Sequence, residues 1–219
     1  MADKLLIAKT RLMLELQDEM NRKVDPDWMD QGREWYRAIW LECGELIEHY
    51  GGWKWWKHAG EPDAEQVLLE IVDIWHFGLS LRITPERDYA AIAKAVVADW
   101  NRPIESQGFL QDVEDLACVA LVEEKFEVSV IPVLLGQIKC DFNDLYRAYV
   151  GKNVLNFFRQ DHGYKDGSYQ KQWGGREDNE HLSEVLAELD SDSDSFREDV
   201  YTALETRYGA GADPQAGTG

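Results

Sequence analysis

The sequence predicts an all-α protein. Apolar residues recur at helical spacing almost throughout the 219 residues, no run alternates with the period of a strand, and prolines number only six. Hydrophobic residues make 44% of the chain, enough for a real core.

The elements follow in order. Residues 4 to 23 read as an amphipathic helix, with Leu5, Leu6, Ala8, Leu12, Leu16 and Met20 among its apolar positions. Asp25-Pro26-Asp27 breaks it and caps a second helix over about 27 to 50, which Gly51-Gly52 stops. Residues 53 to 61 are a Trp- and Lys-rich connection, and some of Trp53, Trp55 and Trp56 are expected in the core. Pro62 opens a third helix to about 82, and Thr84-Pro85-Glu86 starts the next. Two helices fill 85 to 125, divided near Arg102-Pro103. A long helix is expected from about 128 to 160, with Pro132 in its first turn. A Gly-punctuated loop, Gln160 to Ser168, leads to a short helix over 177 to 190. Asp190-Ser191-Asp192-Ser193-Asp194-Ser195 is an acidic link before a last helix near 195 to 208. Residues 209–219 read as a disordered tail. No linker divides the chain, so residues 1–208 are expected to form a single domain.

The net charge of −19 repels nucleic acid backbones and anionic membranes, so neither is an expected partner. A small anionic substrate stays open, because a local basic cluster can override the global field. The three cysteines, Cys43, Cys118 and Cys140, do not form a disulfide framework. With no leader pattern and no apolar run of transmembrane length, a soluble, cytoplasmic protein is expected.

Two acidic pairs carry the chemistry, Glu42-x-x-Glu45 and Glu70-x-x-Asp73. Positions three apart share a helix face, so four carboxylates from two facing helices can converge. Each pair sits in a strongly apolar stretch, Ile39 to Ile47 and Val67 to Trp75, where acids are costly unless paired or metal-bound. Hard divalent cations take oxygen ligands, Mg²⁺ above all. The plain alternative is a solvated face, since Asp and Glu number 42 and Glu45-x-x-Glu48 is a further match. Two pairs in apolar helices favour the metal.

The few basic residues are clustered. Lys152, Arg159, Lys165 and Lys171 are interleaved with Asn153, Asn156, Gln160, His162 and Tyr164. Lys152, Asn156 and Arg159 fall along one helix face, and the following loop can fold back onto it. Arg and Lys suit phosphate oxygens, although a solvated basic helix end would look the same. Acids for a cation beside cations for an anion are what a phosphoanhydride requires. There is no G-x-x-x-x-G-K-[ST] loop.

The chain resembles the dimeric, all-α dUTPases of the all-α NTP pyrophosphatase superfamily. The residues that carry the likeness are Gln17 to Asn21, Glu42-Cys43-Gly44-Glu45 with Trp53 to Lys57, Glu70 to Phe77, Lys152 to Lys165, and Tyr169 onward to Asn179. The resemblance implies a helical bundle catalytic domain over residues 1–208, with 85–140 as a variable helical insert. It implies Mg²⁺-dependent hydrolysis of dUTP, and of dUDP, to dUMP, with pyrophosphate or phosphate released by a homodimer. Glu42, Glu45, Glu70 and Asp73 would be the metal-binding and catalytic acids, with Glu42 handling the attacking water. Lys54, Lys57, Lys152, Arg159, Tyr164, Lys165 and Lys171 would contact phosphates, some across the dimer interface. Gln17, Asn21, Trp53, His76 and Asn156 would meet uracil and deoxyribose.

The residue chemistry is compatible. Amide side chains match the mixed donors and acceptors of uracil, and Trp can stack on its plane. His76 lies three residues after Asp73 and so shares the face of the acids, its alternative being packing between Trp75 and Phe77. Cys43 and Gly44 are expected to allow close helix packing. Two other functions remain open from sequence: a pyrophosphatase for another pyrimidine nucleotide such as dCTP, or a non-catalytic helical dimer that binds nucleotide or a regulator.

Overall fold

A computed structural model describes residues 2–58, 60–191, 193 and 195–211. The chain packs as two compact units, Met1–Tyr149 and Val150–Gly219.

In the first unit, α1 (Ala2–Val24) packs on α3 (Ala64–Arg82) and α4 (Tyr89–Trp100). Its buried face is Thr10, Met13, Leu14, Leu16, Gln17, Asp18, Met20 and Asn21, while Leu5 and Leu12 face solvent. The helix therefore turns a polar stripe inward beside its apolar one. The second helix, α2 (Trp35–Tyr50), begins about eight residues later than expected. The intervening segment makes its bonds elsewhere: Trp28 Nε1 donates to Asp18 and Arg33 to Asp25, and Gly32 has φ +55°. Gly51 and Gly52, at φ +76° and +82°, end α2 as predicted.

α2 packs on α3 and on α5 (Phe109–Glu123), where Tyr50 stacks on Phe109 with ring centroids 3.7 Å apart. Asp63 caps α3 by accepting from the backbone of Glu65 and Gln66, and most of α3 is buried. Thr84-Pro85-Glu86 forms a turn rather than a helix start. Arg87 has φ +51°, and Asp88 is the cap, its side chain accepting from Ala91 N. The long helix expected over 128 to 160 is two, α6 (Val130–Gln137) and α7 (Phe142–Asp161). Lys139 takes φ +60° between them, and Asp141 restarts the chain by accepting from the backbone of Asn143 and Asp144. Side-chain caps outcompete apolar continuity at both places.

Gly78 on α3 permits a close approach: the ring of Phe126 occupies the place a Cβ would take. That ring is buried against Trp75. Gly78→Ala is therefore expected to cost about 1–3 kcal/mol by overpacking, read from urea unfolding. An unchanged midpoint would show that the ring moves aside. Gly44 has no such neighbour, so the close packing expected there is absent; Cys43 beside it is buried. All three cysteines are free thiols.

Asp18 is a buried carboxylate that ties two loops to α1. It accepts from Trp28 Nε1 at 2.9 Å and Tyr89 Oη at 2.5 Å, and pairs with Arg22 and Arg87. Burial works against its charge, but these donors outweigh burial and hold the acid below the usual aspartate range. A depressed carboxyl adds stability above its unfolded pKa and loses it as pH falls through the folded one. Asp18→Asn should therefore flatten the acid limb of the stability–pH curve below about pH 4, measured by thermal melts.

In the second unit, the later part of α7 is followed by a two-residue hairpin, β1 (Gln172–Trp173) and β2 (Arg176–Glu177), with α8 (Asp178–Glu188) and α9 (Phe196–Gly211). The hairpin escaped sequence reading because its strands are too short to show a period. Its turn, Gly174-Gly175, has φ +58° and +82°, the sense that a tight two-residue hairpin needs. α9 extends to Gly211, through the start of the expected tail; residues 212–219, and Asp192 and Asp194 of the acidic link, lie outside the described residues.

Candidate active site

Packing of α2 on α3 brings three of the predicted acids together. Glu42, Glu45 and Glu70 each offer one oxygen, and these oxygens lie within 4.8 Å of one another. Glu70 is buried, Glu42 half-buried and Glu45 exposed, so the cluster opens to solvent on one side. Carboxylates this close repel, and an all-oxygen donor set suits a hard divalent cation. Asp73 lies one helical turn along α3, outside that group. His49 Nε2 stands 3.5 Å from Glu70 Oε1. Sequence reading missed His49, although it sits one turn after Glu45 on the same helix.

Glu48 plays a different part from the three acids. Its carboxylate takes Lys54 Nζ and, at 2.9 Å, Trp53 Nε1. The Lys54 hydrogen bond is the main reason its acid sits below the usual carboxylate range. This clasp shapes the segment after α2. Trp53, Lys54, Lys57 and His58 line a cavity of about 160 Å³ with Glu48, Gly51, Gly52 and Gly60. Lys54 Nζ also lies 4.8 Å from the ring centroid of Trp53. Trp53, Trp55 and Trp56 are all solvent-exposed, at 40%, 88% and 61%, and pack edge-on to one another. None enters the core, contrary to expectation, because the two glycines and the clasp hold the segment outside it.

Of the predicted base and sugar residues of the first unit, Gln17, Asn21 and His76 meet in a buried chain, and Trp53 is not part of it. Gln17 Nε2 donates to Asn21 Oδ1 at 3.0 Å, and Asn21 Nδ2 to Ser80 Oγ at 3.0 Å. His76 Nδ1 is 2.7 Å from Gln17 Oε1. Tyr149 donates its hydroxyl proton to Met13 O at 2.8 Å, its Oη lies 3.0 Å from the side-chain amide of Gln17, and its ring stacks on His76. Burial pushes the Tyr149 phenol well above its ordinary value, so it stays a donor. Ser80 and Tyr149 were not legible as site residues. The only signal was that a tyrosine in an apolar helix needs a partner for its hydroxyl.

In the second unit, Arg159 is forked onto buried Asp178, with Nε–Oδ2 2.8 Å and Nη2–Oδ1 2.9 Å. Burial opposes its charge and Asp178 restores it. Arg159 also donates to Asn156 Oδ1 at 3.1 Å and lies 5.9 Å from the ring centroid of Tyr164. Asn156, Arg159 and Tyr164 are thus brought together. Lys152 is buried on α7, which rules out the solvated helix end for that residue. Lys165 is exposed, and Lys171 Nζ is 3.5 Å from Glu177.

The sequence profile of the dUTPase family matches residues 9–164, well over half of the chain. The chain belongs to the all-α dUTPase family. A search of curated proteins gives no match. The helical architecture, almost without sheet, is that of the family, whose members are in general dimers. Membership makes this dUTPase an enzyme that hydrolyses dUTP, and the non-catalytic alternative gives way to it. The match spans the acid cluster and the buried chain and ends at Tyr164, so Lys165 and Lys171 of the dUTPase lie beyond it. No described helix is long and apolar enough to cross a membrane.

Proposed function

We propose that this dUTPase converts dUTP, and also dUDP, to dUMP in a Mg²⁺-dependent reaction that releases pyrophosphate or phosphate. The observation that carries this reading is the convergence of Glu42, Glu45 and Glu70 on one small volume. With Asp73 they would hold magnesium. Bound there, the metal would neutralise phosphate oxygens and lower the pKa of a water. Glu42 would orient or deprotonate the attacking water. Lys54 and Lys57, beside Trp53, cover phosphate charge, and Lys152, Arg159, Tyr164, Lys165 and Lys171 add phosphate contacts, some of them across a homodimer interface. Gln17, Asn21, Trp53, His76 and Asn156 take uracil and deoxyribose. Residues 1–208 act as one catalytic domain with 85–140 as its variable insert, working in the cytoplasm on a small nucleotide rather than on nucleic acid or membrane.

Steady-state rates on a panel of deoxynucleoside triphosphates, with Mg²⁺ and again with chelator, test the proposal. Turnover of dUTP well above the others, abolished by chelator, is the expected result. Turnover of dCTP at or above that of dUTP would overturn the base assignment, and chelator-resistant turnover the metal.

A further inference from the structure

The face of α2 that carries Glu42 and Glu45 continues one turn further to His49, so the three residues stand at i, i+3 and i+7. The backbone of His49 is held on both sides. Tyr50 stacks on Phe109 with ring centroids 3.7 Å apart, and the Gly51 amide donates to Ile47 O at 3.0 Å to close the last turn. Where α2 packs on α3, His49 Nε2 stands 3.5 Å from Glu70 Oε1. Neither imidazole nitrogen belongs to the set of ligand atoms that gathers within 4.8 Å, which comes from Glu42, Glu45 and Glu70. His49 therefore stands beside a ligand rather than among the ligands. Glu70 is buried and has two oxygens to offer. A donor on one of them leaves the other to point at a cation. The imidazole in its neutral form supplies an N–H without placing a positive charge beside an incoming metal. The 3.5 Å gap is longer than an ordinary hydrogen bond, and the His49 side chain, 39% exposed, has room to turn and close it.

We infer that His49 is a positioning residue of the metal centre: its Nε2–H holds Glu70 Oε1, so that the other oxygen of Glu70 faces the divalent cation. His49 acts through Glu70 and touches neither metal nor nucleotide. The inference rests on the proposed metal role of the acid cluster. Partners of this kind, one bond behind a ligating carboxylate, carry about 10–100-fold in metal affinity.

The test uses Mn²⁺ alone, a hard cation that takes the same oxygen ligands as Mg²⁺ and is counted by its electron paramagnetic resonance signal. Binding is measured, without nucleotide, to the native protein, to His49→Ala and to His49→Gln. The glutamine amide N–H reaches about as far as Nε2 and keeps the donor. The expected result is a dissociation constant raised about 10–100-fold in His49→Ala and largely restored in His49→Gln. Equal affinity in His49→Ala and the native protein would overturn the inference. So would a spin-echo spectrum of bound Mn²⁺ with the ¹⁴N coupling of a directly bound imidazole, since His49 would then be a ligand. Melts of the metal-free proteins separate position from structure. All three should unfold together, and a lower midpoint in both variants, with affinity restored in neither, would mark His49 as structural. A native protein that binds no Mn²⁺ would sink the metal reading itself, an outcome distinct from an unaffected variant.

Discussion

Glu42→Gln is expected to lower kcat for dUTP by about 10²–10⁴-fold, the range for loss of a positioned general base. The substitution keeps size and shape. It removes one of three negative charges whose oxygens lie within 4.8 Å of one another. The metal-free protein should therefore melt at the same temperature or higher, since like-charge repulsion falls. Loss of activity with retained or increased stability separates a functional acid from a structural one. A lower melting temperature would mean that Glu42 supports the fold, and full turnover in the variant would place the chemistry elsewhere.

The largest expected effect on stability is in the second unit. Asp178 is fully buried and accepts from Arg159 through both oxygens, and from Tyr169 Oη at 2.9 Å. Asp178→Ala leaves the Arg159 guanidinium, itself mostly buried, without its counter-ion, and breaking a buried pair in this way costs about 3–5 kcal/mol. Hydrogen exchange across residues 150–211 should register the loss. Arg159→Ala strands the opposite charge at a similar cost. The double substitution should cost less than the two single ones together, since no lone charge then stays buried. Strict additivity would show that the two side chains act independently.

Much of this molecule could be read from its sequence. The acid spacing placed Glu42, Glu45 and Glu70 together because helix periodicity fixes faces, and the apolar stretches around them fixed which helices pack. Gly51-Gly52 marked the end of α2 because both residues need positive φ. What escaped was set by single side chains acting at a distance. Trp28 on Asp18 delays α2, Asp88 moves the start of α4, and Asp141 splits the expected long helix. Each is a polar bond whose partner must be known before its effect can be read. Tyr149 and Ser80 were hidden for the same reason, being far in sequence from the residues they bind, and apolar context masked both. The three tryptophans misled in the other direction, since hydrophobicity alone does not say that a clasped loop keeps them in solvent.

The clasp itself sets terms for anything anionic that arrives. Lys54 already has a counter-ion in Glu48, and the pair lies at the surface, where such contacts are weak and are screened by salt. A polyphosphate reaching this lysine meets a rival rather than an empty berth. It displaces a carboxylate at little cost, and the affinity it shows is the difference between two attachments.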